Sequence, residues 1–86
     1  MAEQLVGKVT HYFSKALVAG IKITEGQLSV GDTIHVVGHT SDFTQKVDSI
    51  QIEHETVPTA KVGDSIGIKV VDHAREHDKV FLVVPD

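Results

Sequence analysis

Eighty-six residues, 41% hydrophobic and 23% charged, suit one small globular domain with a modest core and exclude a disordered chain. The absence of cysteine excludes disulfides and thiolate chemistry. A net charge of −4 with a single arginine, Arg75, argues against a general nucleic-acid binder, since such binding rests on clustered Lys and Arg; a local basic patch is still compatible with an acidic total.

Met1-Ala2-Glu3-Gln4 lacks the basic stretch and apolar run of a secretory signal. No apolar segment approaches the roughly 20 residues of a membrane helix. The expectation is a cytoplasmic protein without membrane contact. Residues 5–13 alternate, with Leu5, Gly7, Val9, His11 and Phe13 on one face and Val6, Lys8, Thr10 and Tyr12 on the other. Residues 17–23 alternate as well, and a period of two predicts strands. A hairpin about Ser14-Lys15-Ala16 sets Phe13 opposite Leu17, His11 opposite Ala19 and Val9 opposite Ile21. The same register opposes Lys8 and Lys22 on the outer face. That arrangement is mildly destabilising unless the two splay into solvent or face an anion.

Val30-Gly31-Asp32-Thr33-Ile34 follows, and returns 32 residues later as Val62-Gly63-Asp64-Ser65-Ile66. In each copy glycine turns the chain, aspartate can hold the turn by bonding nearby amides, and a polar and a β-branched residue open a strand. Residues 33–37 read as a strand with Ile34 and Val36 inward. Segment 38–42 is turn-rich and leads to Phe43. Residues 44–55 read as one long strand with a phase conflict: Val47 is odd-numbered, whereas Ile50 and Ile52 are even. A β-bulge near Asp48-Ser49 is expected to resolve it. Ile66, Ile68 and Val70 share a face of the next strand, 72–78 is a charged connection, and 80–84 reads as a final buried strand ended by Pro85. Six strands with short connections and no helical stripe predict a closed all-β barrel, with an open sandwich as the alternative.

The arrangement resembles the second domain of translational GTPases such as elongation factor Tu. The residues that carry the resemblance are Val18-Ala19-Gly20-Ile21, Gly26 through Val30-Gly31-Asp32-Thr33-Ile34, Val47 with Ile50, segment 60–68, and His77-Asp78-Lys79-Val80. It covers roughly residues 5–84 of a single domain, 1–86. It implies a small six-stranded antiparallel Greek-key barrel. In that family the barrel contacts the aminoacyl end of tRNA and ribosomal RNA, but no contact residue can be matched here. The phosphate-binding loop Gly-x-x-x-x-Gly-Lys-Ser/Thr is missing, so GTP binding and hydrolysis are not expected, and no cofactor is. Similar barrels are appended to other proteins, a collagenase-type peptidase family among them, as binding modules.

Candidate sites follow from chemistry. Segment 38–44 combines donors, acceptors, a titratable ring and an aromatic, so His39, Asp42 and Phe43 are candidate contacts; Phe43 could equally plug the barrel. Lys8, Tyr12 and Lys22 would form a second surface on the outer hairpin face, with Tyr12 either a stacking platform or simple packing. His73-Ala74-Arg75-Glu76-His77 has the His-x-x-Glu-His spacing of helical zinc sites, but it lies between predicted strands, where a solvated loop is the plainer reading. No serine or threonine has a visible base, so nucleophilic catalysis is unsupported. The sequence therefore predicts a non-enzymatic binding module for an unidentified protein or ribonucleoprotein. A translation-linked RNA-binding factor is the alternative, and metal binding through His73, Glu76 and His77 is a second.

Overall fold

In a computed structural model that describes residues 2–84, ten strands form two sheets and no helix occurs among the described residues. They are β1 (Ala2–Phe13), β2 (Val18–Ile23), β3 (Gln27–Ser29), β4 (Thr33–Val37), β5 (Asp42–Lys46), β6 (Ile50–Ile52), β7 (Glu55–Val57), β8 (Thr59–Lys61), β9 (Ser65–Lys69) and β10 (Lys79–Val84). Pro85 falls outside the described residues, and with it the expectation that it ends the last strand. Six strands have five residues or more; the other four have three residues each. The eight-stranded sheet runs β5-β4-β10-β1-β2-β9-β6-β7, and β3 pairs with β8.

Every pairing is antiparallel. The segment β5–β6 supplies both flanks of the ring: β5 is bonded to β4, and β6 to β9. The sheet thus curls into the predicted barrel. Gln45 bridges the seam between β5 and the end of β9. Its Nε2 donates to the Lys69 carbonyl at 2.9 Å and its Oε1 accepts from the Val71 amide at 2.8 Å.

The phase conflict at 44–55 is resolved by a break rather than by a bulge within one strand. Residues 47–49 leave the ladder, and Val47 and Ile50 are both buried. Bulges occur instead in β1, between Leu5 and Gly7 and between Val9 and His11. Each adds one residue, so the inward positions become Val6, Val9 and Tyr12 rather than an alternating set. Val9 faces Ile21 and Lys8 faces Lys22, as expected, but beyond the second bulge His11 pairs with Gly20 and Phe13 with Val18. His11 and Phe13 are consequently exposed. The last strand is also less buried than its apolar run suggests. Val80 is enclosed and Leu82 packs on the core, but burial fades along the strand: Phe81, Leu82 and Val83 are only partly buried and Val84, at the end of β10, is exposed.

The two Gly-Asp corners are related by a local twofold arrangement. In one, the Asp32 carboxylate accepts from the Ser29 amide; in the other, Asp64 accepts from Lys61, both at 2.8 Å. Gly31 and Gly63 have φ of +97° and +94°. Gly31 N donates to Val47 O while Val47 N donates to Asp32 O; Gly63 N donates to Ile23 O while Ile23 N donates to Asp64 O. The strands before the corners, β3 and β8, pair with each other about Leu28 and Ala60, and both residues are buried.

Candidate interaction surface

The loop between β9 and β10 is a rigid turn. Ala74 is buried, the Asp78 carboxylate accepts from the Arg75 amide at 2.9 Å, and Val9 exchanges backbone bonds with Asp78 and His77 at 2.7 and 2.8 Å. Gly38 lies against Asp78, and a Cβ there would overlap the carboxylate. His73 meets Tyr12 at a tilt of 58° with ring centroids 4.5 Å apart, Glu76 lies 3.5 Å from His11 Nδ1, and His77 has a left-handed φ of +74°. Since no helix forms, the His-x-x-Glu-His spacing does not put its two imidazoles on one face, and among the described residues no group of three or more His, Cys, Asp and Glu is placed to hold a metal. His11, Tyr12, Ser14, His73, Arg75 and Glu76 line an open cleft of about 590 Å³.

The structure separates the residues of the two predicted surfaces. Lys8 and Lys22 stay outside and opposite, but the bulge turns Tyr12 to the other side, where it packs on the core. In segment 38–44 only His39 of the three candidates is exposed and without a hydrogen bond among the described residues. Asp42 and Phe43 belong to β5; Phe43 packs against the core, and Asp42 is held by His35. The turn itself is closed by Gly38 N donating to Ser41 O, with buried Ser41 donating to the His73 carbonyl.

Sequence reasoning missed His35. Placed on the outer face of β4, it donates from Nδ1 to Glu3 Oε2 at 2.8 Å and from Nε2 to Asp42 Oδ1 at 2.5 Å. With a carboxylate at each nitrogen, the hydrogen bond to Asp42 first, and then the bond and charge of Glu3, raise the imidazole pKa above its ordinary 6.5, against an opposing desolvation effect. Because the folded value is the higher one, this stabilisation is complete below pH 6.5 and is lost as pH rises through the raised value. The thermal midpoint should fall over that window, and His35→Gln should flatten the fall. A His35→Gln midpoint that falls as steeply as that of wild type across the window would sink the assignment.

A groove on the outer face of β2 and β9 was also not anticipated. Gly20 and Gly67 are paired neighbours there, so the sheet surface carries no side chains at that point. Phe13, Ala16 and Val18 supply its apolar walls, and Gln51, Glu53, His54 and Ser65 its polar rim, around about 350 Å³. Phe13 is 51% exposed, and His11 meets its ring edge-on at 4.4 Å. The turn carrying Glu53 and His54 is tight, with both residues at positive φ. The signal available in the sequence was the mid-strand position of the two glycines.

Comparison with known proteins agrees with this geometry. Residues 17–80 match the family described as elongation factor Tu domain 2. An uncharacterised protease of Methanocaldococcus jannaschii is 37% identical over 79 residues, which is 91% of this chain and 19% of that protein. A collagenase of Porphyromonas gingivalis is 40% identical over 77 residues, 88% of this chain and 21% of that one. The chain thus spans about a fifth of the length of these two relatives. Among solved structures, the C-terminal domain of a Geobacillus thermoleovorans protein provisionally named a U32 peptidase shares the fold, with a TM-score of 0.87, 18% identity and coverage of 94% of this chain and 93% of that one. Translation elongation factor SelB of Methanococcus maripaludis aligns with a TM-score of 0.68 and 29% identity over 91% of this chain and 18% of its own.

Proposed function

The chain belongs to the elongation factor Tu domain 2 family, and from that premise we propose that it is a non-enzymatic binding module for a protein or ribonucleoprotein partner. The observation that carries this reading is the groove lined by Phe13, Val18, Gly20 and Gly67. It is an apolar floor with a polar rim on a rigid sheet, which suits recognition by shape and apolar contact. Catalysis has no comparable support, because the titratable residues of the neighbouring cleft are engaged pairwise: His11 with Glu76, and Tyr12 with His73. In this reading, any activity implied by the names of the protease and collagenase relatives belongs to the remainder of those longer proteins, and the barrel supplies contacts. A cytoplasmic setting is part of the same proposal.

Phe13→Ser and Ala16→Glu change exposed groove residues at the hairpin and leave the core intact. Affinity capture of the tagged chain, followed by mass spectrometry with and without nuclease, should yield a discrete partner that either substitution depletes at least tenfold. A partner profile identical for wild type and both variants would refute the groove as the contact surface.

A further inference from the structure

The turn between β6 and β7 has a sequence that its own backbone disfavours. Glu53 and His54 form the whole loop between Ile52 and Glu55, which are paired across the hairpin, and both are left-handed, with φ of +51° and +68°. A two-residue hairpin loop of this kind has the type I′ geometry, which Asn-Gly or Gly-Gly enters with little strain. Side chains with a Cβ are held there at a cost. The chain places glycine at positive φ at Gly26, Gly31 and Gly63, but not at this turn.

Nothing described within the fold offsets that cost. Both residues are exposed. The side-chain hydrogen bonds and ion pairs among the described residues include neither of them. What the two side chains do face is the groove, where they form part of the rim. Among the described residues that line it, Glu53 alone carries a fixed charge. The lysines nearest in register, Lys69 opposite Val18 and Lys22 opposite Ser65, are exposed and do not line it. The paired Gly20 and Gly67 leave a stretch of bare backbone on which a planar ring can lie flat.

We propose that the groove takes an aromatic side chain of a protein segment and that Glu53 pairs with a Lys or Arg beside that ring, so that the Glu53-His54 turn sets the specificity of the site. This rests on the binding-module reading and gives the partner its chemistry. A carboxylate on the rim attracts a cation and repels phosphate, which favours a basic polypeptide over a nucleic-acid strand. About 350 Å³ open to the surface is at the small end of ligand pockets. It accommodates one ring but does not enclose a free small molecule on most sides, so the ring is delivered by a larger partner.

The test titrates the intact, isotope-labelled chain with short peptides and follows its backbone amides by NMR. A peptide with one tryptophan between two lysines should shift the amides of Phe13, Gly20, Glu53 and Gly67 saturably at millimolar concentration. The same peptide with glutamates for lysines should bind about fivefold more weakly, and one with alanine for tryptophan should not saturate. Glu53→Gln should weaken the lysine peptide about threefold and leave the glutamate peptide no weaker. Glu53→Asn combined with His54→Gly gives the turn its favoured residues. That variant should melt roughly 4–8 °C higher than wild type while binding the lysine peptide no better than Glu53→Gln does. No saturable shift, equal affinity for the two charged peptides, preferential binding of a single-stranded RNA oligonucleotide, or a double variant no more stable than wild type would each overturn the proposal. If the peptides fail while Phe13→Ser and Ala16→Glu still deplete a captured partner, the assigned chemistry falls and the module reading stands. If the depletion fails as well, both fall.

Discussion

Gly7→Ala should destabilise the barrel by about 3 kcal/mol, the upper end of what overpacking costs, and more if the strands cannot part. At the first bulge of β1, the backbone of Gly7 lies so close to β2 that a Cβ would overlap the Lys22 carbonyl oxygen. That oxygen belongs to the backbone of a central strand held on both sides, so it cannot swing aside as the tip of a side chain would. A domain of this size has a total stability of roughly 4–13 kcal/mol, so one methyl group removes a large part of it. Urea unfolding gives the check: the midpoint should drop with little change in slope. A loss under about 0.5 kcal/mol would mean that β1 and β2 separate freely at the bulge.

The second large effect concerns the twin corners. Gly31→Ala and Gly63→Ala should each cost about 1–3 kcal/mol, because φ near +95° lies in a region that residues with a Cβ enter only under strain. No atom within 4 Å of either would-be Cβ adds a clash, so the cost is conformational at both sites. The hydrogen bonds match in kind and length, hence the two losses should agree within about 0.5 kcal/mol and sum in the double variant. Unequal losses in urea unfolding would show that the local twofold does not extend to energetics.

These corners were legible in the sequence because their cause is local: glycine and aspartate at fixed positions dictate the turn wherever the chain goes next. The inward sets Ile34 with Val36 and Ile66, Ile68 with Val70 were legible from alternation alone. The two bulges of β1 were not, since nothing in residues 5–11 announces an added residue; the demand comes from packing two neighbouring strands on a curved sheet. That unread feature moved Tyr12 away from Lys8 and Lys22 and brought Phe13 to the surface. The interaction surface was legible only in part for the same reason. Gly20 lies in a hairpin that sequence can register, whereas Gly67 joins it by a pairing between chain-distant strands. His35 gathers Glu3 from 32 residues away, a meeting that no spacing encodes.

The order of strands also governs when the molecule can form. β1 lies between β2 and β10, the first and last strands to follow it in the chain, and Ala2 is paired with Val84. A growing polypeptide can complete its early hairpin but must leave the other edge of β1 open until β10 has been made. Closure is therefore a late event that brings together residues separated by nearly the whole described chain. Chains dominated by such distant pairings fold in milliseconds to seconds rather than microseconds. During that interval the outer edge of the early hairpin is the surface most exposed to misassociation.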